Sequence, residues 1–248
     1  MTPGAQPHAI RFRDVVESEI TKIITHPVVS YALGIALIGN TFLAAIASNE
    51  AIRFGIGSDI APLSAFAAVM FAPIYAFLVV PVWASASEYP GQFRITLTAV
   101  PQRSRLVVAK IVAMVAVVLP AAIVTLTPAR LILGMGQGLT APALLADIGR
   151  WVAVYVLMSL FVFGLADVLR STMAPLASLA VLAIFVNAGF LNWPEGLRFL
   201  PDQAAMNALG TPTFEVMELP AGLAAITLAG WSTAAIIASV VVFLRRDG

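Results

Sequence analysis

The sequence predicts an all-α integral membrane protein. Six transmembrane helices follow an N-terminal amphipathic elbow helix, with a short cytoplasmic coupling helix and a short external helix before the last span. Three observations carry this. First, 60% of the 248 residues are hydrophobic and 11% are charged, against about 25% charged in a soluble domain. A soluble fold of this length cannot bury that much apolar surface. Second, the apolar residues fall in runs near the length of about 20 that crosses a hydrocarbon core. Third, lysine and arginine are unevenly shared between the connections. The whole of 1–248 reads as a single transmembrane domain.

Residues 10–26 place polar side chains at 11, 14, 18, 21, 22 and 25 and apolar ones at 12, 16, 20, 23 and 24. That is helical periodicity with two faces. The stretch mixes acids and bases and lacks the short apolar core of a signal peptide. It predicts an elbow helix along the cytoplasmic membrane surface, turning at His26-Pro27 into the first span, 28–47. The helix is either an interfacial anchor or also touches a cytoplasmic partner through Glu17, Glu19 or Lys22.

The second and third spans, 62–87 and 107–133, carry Pro73 and Pro81, then Pro120 and Pro128. These are expected to be kinked or tilted, since neighbours in a bundle can satisfy the carbonyls that proline frees. Between them, 88–110 is the longest cytoplasmic loop. Pro90-Gly91 makes a turn, Gln92 to Val100 is amphipathic, and Pro101 precedes Arg103, Arg105 and Lys110. The charge rule accounts for the basic residues. It does not account for Phe93, Ile95, Leu97 and Val100, an apolar face outside the bilayer suited to a partner's groove. Glu88 is expected to snorkel or cap at the end of the second span. Gly134 to Gly138 reads as a flexible external loop.

The fourth and fifth spans, 150–169 and 173–192, are joined by Arg170, Ser171 and Thr172, a tight hairpin. Asp167 and Arg170 stand at i,i+3, the spacing of a helical ion pair. Asn40, Asn187 and Asn192 are expected to make interhelical hydrogen bonds, with a substrate contact as the alternative. The connection 193–219 is long for a bare loop. Pro201 near the start and Gly210 past the end predict a short helix over 201–209. It is a surface helix, or else a gate or cap over a pathway. The last span is 220–244.

With this segmentation, ten lysines and arginines fall on the side of the termini and four on the other. The excess marks the cytoplasm, so both termini are expected inside a bacterial plasma membrane. Other classes are excluded. There is no cysteine, hence no disulfide or thiolate chemistry, and both histidines, His8 and His26, precede the first span. Net charge is +1, so bulk electrostatics says nothing about nucleic acid, and no nucleic-acid partner is expected. The two lysines, Lys22 and Lys110, are followed by isoleucine, so no phosphate-binding GxxxxGK motif with a following Ser or Thr exists. The chain is read as no enzyme. No cofactor is expected in it.

Three blocks resemble the permease subunits of ABC-2 type transporters, in particular short six-span actinobacterial ones. Phe12-Arg-Asp-Val-Val-Glu-Ser-Glu-Ile-Thr-Lys22 is similar to the family's opening F-x-x-V-x-x-S-E-x-x-K. Glu88-Tyr89-Pro-Gly91-Gln-Phe93-Arg94-Ile-Thr-Leu97-Thr-Ala-Val-Pro101-Gln-Arg103 resembles its loop E-Y-x-x-G-x-x-R-x-T-L-x-x-x-P-x-R, with the glycine one residue early. Phe199-Leu200-Pro201-Asp202-Gln-Ala-Ala205 resembles its L-P-x-x-A segment. The resemblance implies a dimer, with the second permease a copy or a paralogue, in the lipid bilayer above two copies of a separate P-loop ATPase that bind ATP and Mg. It implies that Glu88 to Arg105 dock on the ATPase and that Leu200, Pro201 and Asp202 belong to an external gate. It also implies that the second and fifth spans line the pathway, where Phe66, Met70, Phe77, Asn187 and Phe190 are the candidate lining residues. Their apolar character suits a hydrophobic or amphipathic cargo such as a peptide antibiotic, drug or lipid; the alternative is that they simply face lipid or a neighbouring helix. The alternative is a stand-alone secondary transporter or channel.

The charge count is tested by reporter fusions. One placed at residue 98 is expected to score cytoplasmic and one at 140 external; reversal of either pattern breaks the topology.

Overall fold

The computed structural model describes residues 11–49, 67–86, 103–188, 190, 193–211 and 218–245, which form helices and turns with no strand among them. Helix α1, Phe12–Ile24, begins where the Asp14 carboxylate accepts the Arg11 N–H at 3.0 Å, satisfying one of the free donors around a helix start. Val15, Glu19 and Ile23 recur every four residues and form its buried face. Arg13 and Glu17 pair at 2.7 Å on the exposed face.

Helix α2, Pro27–Ser48, opens on proline, whose missing N–H matters least in a first turn. His26 Nδ1 accepts the Val28 N–H at 3.3 Å, and its ring lies 3.8 Å from that of Trp83. The return segment is broken into α3 (Ala67–Phe71), α4 (Ile74–Phe77) and α5 (Val79–Ala86). Pro73 sits at the first break and has no N–H to continue the ladder. The kinked span expected here is thus three short pieces.

Helix α6, Arg103–Gly136, by contrast runs through both Pro120 and Pro128. Helix α7, Ala141–Leu169, starts at 141 rather than 150. Most of the expected external loop 134–149 is therefore helix, and the turn is 137–140, with Gly138 at φ 65°. That backbone region favours glycine. The added turns of α7 are stabilised by Asp147, which pairs with Arg130 of α6 at 2.6 Å and with Arg150 at 3.1 Å. The α7–α8 hairpin follows expectation. Arg170 caps α7 with φ 55°, and Ser171 Oγ accepts the Met173 and Ala174 N–H groups at the start of α8, Ala174–Asn187. Then come α9 (Pro194–Leu197), α10 (Pro201–Ala208) and α11 (Ala221–Arg245).

The long helices form one bundle. We call the end carrying α1 proximal. Chain direction alternates: α2 runs distally, α3 to α5 return, α6 runs out, α7 returns, α8 runs out and α11 returns. Among the described residues four helices are long and apolar enough to cross a membrane: Pro27–Ser48, Ser104–Gly136, Ala141–Leu169 and Ala221–Arg245. Val69–Ser85 and Ala174–Val186 are shorter apolar stretches. The former is interrupted, and the latter is below the 20 or so residues needed. The core centres on Phe77, Met114, Leu126, Tyr155, Phe163 and Leu228. Asn40 makes the expected interhelical bond, accepting from the Tyr155 hydroxyl at 3.2 Å.

Helices α7 and α11 run parallel and very close. Ser232 Oγ donates to the Leu157 carbonyl at 2.8 Å. A methyl group placed on Gly164 would lie 2.5 Å from the backbone carbonyl carbon and oxygen of Ala235, where no rotamer change can relieve it. Gly164→Ala is therefore expected to destabilise the fold by about 1–3 kcal/mol. Gly230→Ala, which meets nothing within 4 Å, is expected to be neutral or stabilising by up to about 1 kcal/mol. Equilibrium unfolding of the two variants in detergent checks the contrast; equal stabilities would mean the helices are not held this tightly.

Candidate coupling and gate sites

At the proximal end α1 lies across the ends of α6 and α11. Val15 joins Leu106, Val107, Ala109 and Phe243 in a buried apolar cluster, flanked by Phe12, Val16, Ile111 and Val240. Ile23 reaches the main core with Val80 and Val82. The apolar stripe expected of α1 is only partly the face it buries: Ile23 is buried, Phe12, Val16 and Ile20 are half-buried and Ile24 is exposed, while Val15 and Glu19 complete the buried face. Of the three elbow residues, Glu17 is exposed and paired with Arg13. Glu19 is 5% exposed and accepts from Lys22 Nζ at 2.6 Å. Only Glu17 and the Lys22 head thus face outward.

Beneath this layer lies a polar tie that the sequence did not signal. Asp167 of α7 accepts from Ser85 of α5 at 2.7 Å and from Ser239 of α11 at 2.5 Å. All three are buried. The i,i+3 pairing expected of Asp167 with Arg170 gives way to these bonds. Two neutral donors on a buried carboxylate join three helices at one point, and hydrogen bonds to charged groups are the stronger kind. Lys110 of α6 is also buried at this end.

Of the expected coupling residues, Glu88, Tyr89, Gly91, Phe93, Arg94, Leu97 and Pro101 lie outside the described residues. Arg103 opens α6 and Arg105 is half-buried on its first turn. The anchors on both sides of that connection are therefore in place: the end of α5, held through Ser85, and the start of α6, held under α1.

Among the pathway candidates, Phe66 lies outside the described residues. Met70 packs beside Ala44, Ala129 and Leu133. Phe77 is fully buried with its ring 5.0 Å from Tyr155. Asn187 ends α8. Phe190 is exposed, 5.6 Å from Phe185. The structure does not bring these together. At the distal end the Arg130 guanidinium lies 4.6 Å over Trp151, and both line a small recess with Asn40, Met70, Leu126 and Leu133.

The segment expected to be a short helix is one, and all eight residues of α10 are buried. That excludes a helix lying on the surface. Proline at its first position and Gly210 at φ 74° past its end are the expected start and stop. Two bonds fix its placement. Trp231 Nε1 donates to the Phe199 carbonyl at 2.7 Å, just before α10. At the other end, Leu219 N–H donates to Asn207 Oδ1 at 2.8 Å. Trp231 lies ten residues into α11, about 15 Å along it at 1.5 Å per residue. Helix α10 therefore starts that far inside the bundle and climbs along α11 to its distal end. Leu200 is half-buried, while Pro201 and Asp202 sit at the deep end, buried.

Among the described residues no group of three His, Asp or Glu could hold a metal ion. No protein-family model matches the chain, and no curated protein matches it.

Asn207→Ala removes the acceptor of the buried Leu219 N–H. The expected cost is about 1–3 kcal/mol, falling on the seating of α10. Because the chain has no cysteine, Ala208→Cys reports on it: a polar thiol reagent should label faster in the Asn207→Ala background. Equal rates would show that this bond does not hold the helix.

Proposed function

We propose that the chain is the permease subunit of an ATP-driven exporter of the ABC-2 type. It crosses a bacterial plasma membrane six times, with both termini in the cytoplasm. The alternating chain direction supports six crossings: α3 to α5 together, and α8 with the segment after it, act as the two interrupted ones. Non-helical backbone at membrane depth is tolerated where protein covers it, as the burial of α10 provides. On this reading α10 is a re-entrant gate helix. The cargo is hydrophobic or amphipathic, such as a peptide antibiotic, drug or lipid.

One observation carries the proposal. The connection 87–102 joins two helix ends that are both anchored in the proximal layer, α5 through Ser85 and Asp167 and α6 through the α1 cluster. A push on that connection must move both helices. A partner P-loop ATPase, in two copies binding ATP and Mg, supplies the push, and a second permease, identical or paralogous, completes the pathway. The chain itself has no lysine in a phosphate loop and is no ATPase. A stand-alone secondary transporter is the second reading. What favours it is the buried acid Asp202 inside the bundle, the kind of group that couples ions in such proteins.

Affinity pull-down of the ATPase separates the two. Burying Leu97 in a partner groove contributes about 1.5–3 kcal/mol, whereas an exposed arginine contributes about 0–1 kcal/mol. Leu97→Asp is expected to weaken assembly at least tenfold, and Arg103→Ala only slightly, with membrane insertion unchanged in both. Undiminished pull-down and transport by Leu97→Asp would show that this face does not couple.

A further inference from the structure

The deep end of α10 holds an acid to which the exporter reading gives no chemical role. Asp202 is 2% exposed. Its Oδ2 accepts from Gln203 Nε2 at 3.1 Å, while Oδ1 has no hydrogen-bond partner among the described side chains and backbone. Among the described residues, the helices packed against it place no cation on it. Helix α11 has no ionisable side chain between Ala221 and Leu244, α8 and α3 have none, and α7 has only Tyr155 between Arg150 and Asp167. Among the described residues the Tyr75 phenol of α4 lies within electrostatic reach, and it has no positive form. On the preceding turn Arg198 lies over the Phe199 ring at 5.1 Å and makes no ion pair with Asp202. Glu195 and Glu218, before α10 and α11, add only negative charge. An ionised carboxylate so placed is costly, and protonation removes the charge.

We propose that Asp202 is a proton-binding site whose occupancy sets the seating of α10: protonated, the helix stays in the bundle; deprotonated, its deep end is driven toward water. The inference rests on the transport reading only for calling this motion a gate. The site is a property of the chain alone, and its test needs no ATPase.

The sign follows from linkage. A carboxyl whose pKa is higher folded than unfolded binds more protons in the folded state. Its contribution to stability is full below the unfolded value of about 3.9 and is lost as pH rises through the folded value. One proton changes the unfolding constant by at most tenfold per pH unit in that window. Equilibrium unfolding of the purified full chain in detergent is therefore measured from about pH 4 to pH 9, a range reaching well above the ordinary carboxylate value. Wild type is expected to lose stability with rising pH relative to Asp202→Asn, which mimics the neutral form, and the two should converge at the acid end. Gln203→Leu removes a donor to the charged form and should move the wild-type step to higher pH. Infrared spectra supply an independent measure, since a protonated-carboxyl C=O band should fade over the same range and be missing from Asp202→Asn. If Asp202→Asn does not fold, the band in wild type and its upward shift in Gln203→Leu still decide. Parallel pH curves for wild type and Asp202→Asn, or a titration that Gln203→Leu leaves in place, would overturn the proposal. Loss of ATPase pull-down with these titrations intact would overturn the exporter reading and leave the proton site standing.

Discussion

The close approach of α7 and α11 at Gly164 and Ala235 is the constraint on which the rest of the bundle depends. In a bilayer, burying apolar side chains against each other gains little over burying them in lipid, so helices associate through tight packing and hydrogen bonds between backbones that come near. Gly164 lets two backbones approach until a carbonyl fills the space of a side chain. That proximity brings Ser232 within reach of the Leu157 carbonyl and Ser239 within reach of Asp167. With α7 and α11 fixed, α10 has a groove to enter and α1 has a surface to cover.

The two ends of the bundle are built differently. The proximal end is layered, with an amphipathic helix over an apolar cluster and a carboxylate tying three helices beneath it. The distal end adds charge and backbone contacts, Asp147 between two arginines and Asn207 on the Leu219 N–H, with Trp231 on the Phe199 carbonyl deeper in the bundle. Apolar side chains pack beside these polar contacts, from the cluster of Ala44, Ala47, Ala129 and Leu133 and from α10 itself.

The sequence announced most elements and few of the contacts between them. Apolar runs placed α2, α6 and α11 to within a few residues, and Pro201 and Gly210 framed α10 correctly. Periodicity in 10–26 announced the helix α1 but placed its buried face off by part of a turn, since Val15, Glu19 and Ile23 face inward and Ile24 does not. The errors share a cause. The start of α7 was misplaced because 141–149 is less apolar than the run that follows, and its helix depends on Arg130 meeting Asp147 across a turn. Pro73 and Pro120 look alike in sequence, yet one sits at a break and the other is carried inside a continuous helix. Asp167 had Arg170 at helical spacing but bonds to serines 82 and 72 positions away. Local spacing cannot reveal partners that only a packed bundle brings together. Asp202 was legible as part of a motif, but its burial was not, since nothing in a short polar helix says that it turns inward.

The turn between α6 and α7 spans only 137–140, and the Arg130–Asp147 pair clamps the helices just below it. The pair therefore behaves as a stiff arm rather than as two rods on a loose joint. Helix α6 has 34 residues and is about 51 Å long at 1.5 Å per residue. Pivoted at its proximal end, it carries its tip about 0.9 Å for each degree of tilt, by the same length. A rotation of a few degrees, small enough to leave side-chain packing near the pivot in register, thus displaces the far tip by several ångströms. The arm amplifies displacement in proportion to its length, and it does so without any helix having to bend.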